Sequence, residues 1–198
     1  MIKNIIFDLN RTLVKTNYKK FDKFLKKFDI GADLFGKIFY SHIFDYNQNK
    51  FNTRGLFERI LRDLNVDKKF LDEIKAEYER SFVSVRGMRG VLRRLKRKHR
   101  LFILTGEGKE LLDLKMNRLK LRDFFEEIYA SCYEGFLKKD PRLYKRLIKK
   151  SSVNPKESLF IDDTPLYVEV AKKLGFKTIL FKDAKQLREE LKRLKINL

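Results

Sequence analysis

Apolar residues change their spacing twice along this chain. Ile5, Ile6 and Phe7 form a short β-prone run without polar alternation, the pattern of a strand buried on both faces. Asn10 to Thr16 then reads as a loop. From Tyr18 to Phe28, Ala32 to Phe44, Thr53 to Leu64 and Lys68 to Phe82, apolar residues recur at spacings of three and four, which predicts four short helices. Phe21, Phe24, Leu25 and Phe28 make the clearest stripe, and the phenylalanines as a group are expected to form a bundle core, a minority facing a substrate. Asp67, and Asn52 or Thr53, stand where helix caps are expected.

From Gly87 the pattern alternates. Helices are predicted over Gly90 to Lys98, Lys109 to Leu119, Pro141 to Lys150, Leu166 to Leu174 and Lys185 to Leu194. Strands are predicted at Arg100 to Leu104, Glu127 to Ser131, Ser158 to Ile161 and Lys177 to Phe181. Pro141 suits a first helical turn, and Gly175 suits a left-handed position just past a helix. Strands separated by 10–20 helical residues imply right-handed parallel crossovers. The expected class is therefore α/β: one core, interrupted after its first strand by a helical insert.

Charge narrows the partners. Lysine and arginine number 47 against 27 acidic residues, a formal net charge of +20. That excess draws anions, from phosphorylated metabolites to nucleic acids, without choosing among them. The densest run, Arg93 to Arg100, reads as the solvated face of one helix with Val91, Leu92 and Leu95 turned inward. Cys132 is the single cysteine, so no internal disulfide is expected, and the N-terminus lacks the order of a signal peptide. No apolar run approaches the ~20 residues that cross a bilayer, so no membrane partner is expected. These features predict a soluble, cytoplasmic protein, with monomer and dimer both open.

Three strand ends carry candidate chemistry. Asp8 follows the first run, Thr105-Gly106 ends the second, and Asp162-Asp163 ends a third. Open parallel sheets place their sites at such carboxyl ends. Carboxylates gathered there repel one another, and a hard divalent cation relieves this; an oxygen-only donor set without a cysteine or histidine cluster selects Mg²⁺. Lys138 lies between a strand and a proline-initiated helix at the same edge, where it would neutralise a phosphoryl group and the carboxylates. His42 and His99 read as surface or packing residues.

Those residues also fall into a family pattern. Phe7-Asp8-Leu9-Asn10-Arg11-Thr12-Leu13 resembles the first motif of the haloacid dehalogenase-like superfamily, and Leu104-Thr105-Gly106 the second. Gly135-Phe136-Leu137-Lys138-Lys139-Asp140-Pro141 is similar to the third, and Phe160-Ile161-Asp162-Asp163-Thr164-Pro165 to the fourth. The resemblance implies a three-layer, Rossmann-like parallel sheet of five core strands in the order 5-4-1-2-3. Residues 1–15 and 87–198 would form the core domain and residues 16–86 a helical cap. It also implies a magnesium-dependent phosphatase in which Asp8 is the nucleophile. Asp8, the backbone carbonyl of Asn10, and Asp162 would hold Mg²⁺. Thr105, Gly106 and Lys138 would hold the phosphoryl oxygens, and Asp163 would support Lys138 or a metal-bound water.

The pattern breaks in three places. Asn10 replaces the aspartate that protonates the leaving oxygen and later activates water; an amide exchanges no proton, so turnover is expected to be slow, by roughly 10²–10⁴. Arg11 stands where the family prefers glycine, so it would crowd the turn or add charge at the phosphoryl site. Lys139 replaces a proline. Two other readings stay open: a weakly catalytic or non-catalytic member that binds RNA or a protein, and a dehalogenase-type hydrolase. Under the phosphatase reading, Asn10→Asp is expected to raise turnover.

Overall fold

The computed structural model describes all 198 residues. The chain begins with strand β1, Asn4–Phe7, followed by β2, Val14–Thr16. Four helices come next: α1 (Tyr18–Leu25), α2 (Ala32–Asn47), α3 (Thr53–Asp63) and α4 (Leu71–Arg80). The short strand β3 (Phe82–Ser84) returns antiparallel to β2, so a two-stranded ribbon joins insert and core. The remainder alternates as α5 (Met88–Leu95), β4 (Arg100–Thr105), α6 (Lys109–Arg118), β5 (Glu127–Ala130), α7 (Ser131–Glu134), α8 (Pro141–Lys150), β6 (Ser158–Asp162), α9 (Pro165–Lys173), β7 (Lys177–Leu180) and α10 (Ala184–Arg193).

Five strands form one parallel sheet in the order β5-β4-β1-β6-β7, which is the expected 5-4-1-2-3 viewed from the other edge. The alternation of side chains builds the three layers. Ile5, Phe7, Leu101, Ile103, Leu159 and Ile161 face α5, α6 and α10, whereas Ile6, Phe102, Leu104 and Phe160 face α8 and α9 through Leu143, Tyr144, Leu147 and Ala171. Because β1 lies in the middle, its carboxyl end is covered by neighbours on both sides.

Two local expectations are corrected. The stretch Asn10 to Thr16 is not all loop, since Val14 to Thr16 pairs with Phe82 to Ser84. The fourth cap helix stops at Arg80, not Phe82, and is preceded by a 3₁₀ turn over Lys68–Phe70. Three-residue strands are too short to show a period, and Phe82 continues the helical spacing of Leu71, Ile74 and Tyr78 by chance. The four-residue helix α7 was likewise not anticipated. Elsewhere the caps behave as expected: Asn52 Oδ1 accepts from the Gly55 amide, Asp67 from Lys69, and Gly175 has φ 89°. Val91, Leu92 and Leu95 are buried beneath the basic run.

The cap core is aromatic. The Tyr78 ring sits 5.4 Å from Phe21, 5.3 Å from Phe39 and 5.0 Å from Phe82, in tilted or edge-on packing. The insert is also tied down onto the core at the α2–α3 corner. Tyr46 Oη accepts from the Leu111 amide (3.2 Å), Asn47 Nδ2 donates to the Gly106 carbonyl, and the Thr53 amide donates to Glu110 Oε2 (2.8 Å).

Gly108, the residue before α6, lies directly beneath the Tyr46 ring, where an added Cβ would overlap the ring carbons. Gly108→Ala is therefore expected to cost about 1–3 kcal/mol through overpacking at the cap–core seam. Gly90→Ala, at a helical position where a methyl meets nothing within 4 Å, is expected to raise the melting temperature instead. Thermal melts followed by circular dichroism check both signs.

Candidate active site

Strand register decides which side chains meet. Phe7 is level with Ile103 on one side and Ile161 on the other, so Asp8 and Asp162 stand level on adjacent strands and project alike. The Asp8 amide donates to the Ile161 carbonyl at 2.9 Å, fixing the start of the loop. Thr105 ends β4, two residues beyond Ile103. Lys138, carried by the segment between α7 and α8, is 2% exposed, and its ammonium reaches both acids. It donates to Asp8 Oδ1 and approaches Asp162 Oδ2 at 2.6 Å, a contact close in distance but not aligned as a hydrogen bond.

Two buried carboxylates around one ammonium leave a surplus negative charge. Burial pushes the Asp8 carboxyl up; Lys138 opposes this and Asp162 adds to it, with the result at about 7. Burial would lower Lys138, but the Asp162 and Asp8 carboxylates outweigh it and hold the ammonium above its ordinary range. Asp8 Oδ2 is buried with no hydrogen-bond partner. Carboxylate oxygens of Asp8, Asp162 and Asp163 all lie within 4.8 Å of one another. An oxygen-only set with an orphaned, buried acceptor and excess negative charge fits Mg²⁺. The cluster is suited to a hard divalent cation and to aspartyl-phosphate chemistry.

Other polar atoms also lack partners here. Thr105 Oγ1 and Asn47 Oδ1 are buried without hydrogen bonds, at the end of β4 and on the cap wall above Gly106. Such groups cost free energy unless a ligand satisfies them.

Asn10 has an unexpected setting. Its Nδ2 donates to Glu107 Oε2 at 3.0 Å, and its Oδ1 accepts from Lys115 Nζ at 2.8 Å. Lys115 in turn bonds Glu107 directly, and both are buried. Neither residue was singled out from the sequence. A signal existed: Lys115 shares the buried face of α6 with Leu111, Leu112 and Met116, where a lysine is out of place. Glu107 follows Thr105-Gly106 by one residue.

Arg11 has φ 61°, the left-handed region, which accounts for a glycine preference at this turn. Its guanidinium meets Asp163 Oδ2 at 2.7 Å and donates to Thr164 Oγ1 at 3.2 Å, and it lines the cavity beside Asp8, adding positive charge there. Asp163 is thus paired with Arg11 rather than with Lys138. Both histidines lie outside the site, His42 beside Asp63 and His99 against the Ile2 carbonyl.

A cavity of about 240 Å³ opens above these groups, between core and insert. Asp8, Asn10, Gly106, Glu107, Lys138 and Asp163 line its floor, and residues of α1, α2 and the ribbon form the opposite wall.

Fold, strand-end carboxylates and bridging lysine together define a hydrolase class. The chain belongs to the haloacid dehalogenase-like hydrolases, whose family model matches residues 5–181. It is 32% identical to the glyceraldehyde 3-phosphate phosphatase of Pyrococcus abyssi, over 93% of this chain and 83% of that protein. The structure of a predicted HAD-like family hydrolase from Porphyromonas gingivalis superposes with a TM-score of 0.78 at 25% identity, covering 100% of both chains. A HAD family enzyme from Bacteroides thetaiotaomicron, solved with magnesium and inorganic phosphate, gives 0.73 at 22% identity over 92% and 96% of the two chains. The protein is a HAD-fold enzyme of the phosphatase-like branch.

Two tests follow from the charges. Asp8 keeps its proton to higher pH in the folded protein than its ordinary value of 3.8, so stability present below that value is lost as pH rises through about 7. Asp8→Asn removes the surplus charge, and the metal-free variant is expected to melt several degrees above wild type at pH 8, with the gap closing toward pH 4. At about 2–4 °C per kcal/mol for a chain of this size, calorimetry resolves it.

Asn10→Asp alone sets a second carboxylate against Glu107, so any gain in turnover comes with a loss of stability. It should lower the melting temperature, whereas Asn10→Asp with Glu107→Gln restores the balance around Lys115. The double-mutant cycle is expected to give a coupling of about 0.5–3 kcal/mol.

Proposed function

We propose that this protein is a magnesium-dependent phosphatase acting on small phosphorylated compounds, with residues 16–86 as a cap over a core of residues 1–15 and 87–198. One observation carries the reading: a single buried lysine shared by Asp8 and Asp162 beneath a cavity, at the ends of adjacent parallel strands. The relatives' names support the substrate class: the Pyrococcus abyssi protein is a phosphatase of glyceraldehyde 3-phosphate. A cavity of about 240 Å³ suits a small molecule better than a nucleic acid. The +20 charge then serves to steer anionic substrate. A single cysteine fits a reducing, cytoplasmic setting.

In this reading an Asp8 carboxylate oxygen attacks phosphorus in line, forming an acyl-phosphate as the bond to the leaving oxygen breaks. Thr105 Oγ1, the Gly106 amide and Lys138 hold the phosphoryl oxygens. Asp8, Asp162 and the Asn10 carbonyl would hold Mg²⁺, which would supply charge neutralisation for the phosphoryl group and the acidic pair. Water then attacks phosphorus, releasing phosphate and restoring the Asp8 carboxylate. Arg11 and Asp163 hold the loops of β1 and β6 against each other. The Asn10 side chain offers hydrogen bonds but no proton. Retention of both Asp162 and Asp163 favours this reading over the dehalogenase one, which needs no metal.

Phosphate release from a panel of phosphate esters and acyl phosphates tests the proposal. Turnover is expected to require Mg²⁺, to cease with EDTA and to fall to background in Asp8→Ala. Thr105→Val should lower kcat by about 10²-fold, as for loss of one oxyanion donor. Turnover persisting in Asp8→Ala would place the chemistry elsewhere.

A further inference from the structure

The two walls of the cavity differ in kind. Its floor is charged. The opposite wall is built from Phe39, Tyr40, Ile43 and Phe44 of α2, with Tyr18 and Phe82 from either end of the insert. Tyr18, Tyr40 and Phe44 are about half exposed, although large apolar side chains ordinarily bury. No acidic side chain of the insert lines the cavity. The polar groups on that side are few, Asn47, Lys15 and Thr16 beside the Tyr18 and Tyr40 hydroxyls, and the surface between them is hydrocarbon, against which the several hydroxyls of a sugar or polyol are desolvated at a cost. A flat ring loses nothing there and gains stacked or edge-on contacts.

The floor makes an independent demand. Asn10 donates its amide to Glu107 and accepts from Lys115, and it carries no exchangeable proton. Glu107 already accepts from Asn10, Lys115 and the Gly108 amide. No carboxylic acid at position 10 or 107 is then free to protonate the leaving oxygen, which departs as its anion. An alkoxide resembles hydroxide released from bulk water, a far more basic anion, while a phenolate forms near 10. Unassisted departure is practicable for the second. Space agrees: an enclosed cavity of about 150 Å³ accepts benzene, so about 240 Å³ holds one ring together with a phosphoryl group.

We infer that the preferred substrates are phosphate monoesters of phenols, compounds whose phosphate is attached directly to an aromatic ring. This rests on the phosphatase reading above and narrows it. Phosphorus–oxygen cleavage transfers the phosphoryl group to Asp8 and releases the phenolate, which takes its proton from solvent; water completes the cycle.

Four substrates separate ring from leaving group: phenyl phosphate has both, benzyl phosphate only the ring, acetyl phosphate only the stable leaving anion, and glycerol 3-phosphate neither. With Mg²⁺ and the uncatalysed rate subtracted, kcat/KM for phenyl phosphate, which reports the phosphoryl-transfer step, is expected to exceed that for benzyl phosphate by about 10²-fold or more. Its KM should lie below that for acetyl phosphate. Tyr40→Ala and Phe44→Ala change half-exposed residues and so should fold. Each is expected to raise KM for phenyl phosphate about 2–10-fold, and by more than for acetyl phosphate. Glycerol 3-phosphate matching phenyl phosphate in kcat/KM would overturn the inference while leaving the protein a phosphatase. Equal KM effects of the wall variants on ringed and ringless substrates would overturn it too. Hydrolysis of none of the four would overturn both this inference and the phosphatase reading.

Discussion

Everything in this molecule converges on two carboxylates that share one lysine. Asp8 and Asp162 reach the same level because β1 and β6 run in register, and Lys138 closes the gap from a loop that neither strand contains. Separated from each other, each group would be a costly buried charge. Together they are one negative charge over, with an acceptor oxygen left unpaired. That imbalance is unfavourable for folding and favourable for a cation and an electrophile, and it explains why the carboxyl ends of the central strands are the chemical centre of the molecule.

Much of this was legible in the chain. Strands buried on both faces read as continuous apolar runs, so Ile5 to Phe7 and Leu159 to Ile161 could be placed, and their terminal aspartates with them. Crossover topology then required those ends to share an edge. What stayed illegible was of two kinds. The ribbon of Val14–Thr16 and Phe82–Ser84 is three residues a side, too short for a strand period to show, and its partners lie far apart in the chain. The Asn10–Glu107–Lys115 cluster joins residues about 100 positions apart, and no local pattern states such a contact.

That cluster changes the meaning of Asn10. Taken alone, the asparagine is a lost acid. Seen in place, it is an amide that must donate to a buried carboxylate and accept from a buried ammonium at once, which a carboxylate at position 10 cannot do. Asn10, Glu107 and Lys115 form a fixed arrangement in which the single carboxylate and the single ammonium balance. The aromatic wall above it is consistent with that arrangement, since both select for what leaves rather than for how it is protonated.

The proposed mechanism puts a phosphoryl group on Asp8 during turnover, and with no acid or base at position 10 to activate water that acyl-phosphate accumulates. Acid-quenched protein, taken within the first turnovers with Mg²⁺ and phenyl phosphate and then mapped by peptide mass spectrometry, reads this directly. The account predicts one added phosphoryl group on the peptide containing Asp8, accumulating to a substantial fraction of the enzyme. Turnover with Asp8 unmodified throughout, or with the phosphoryl group on another residue, would contradict it.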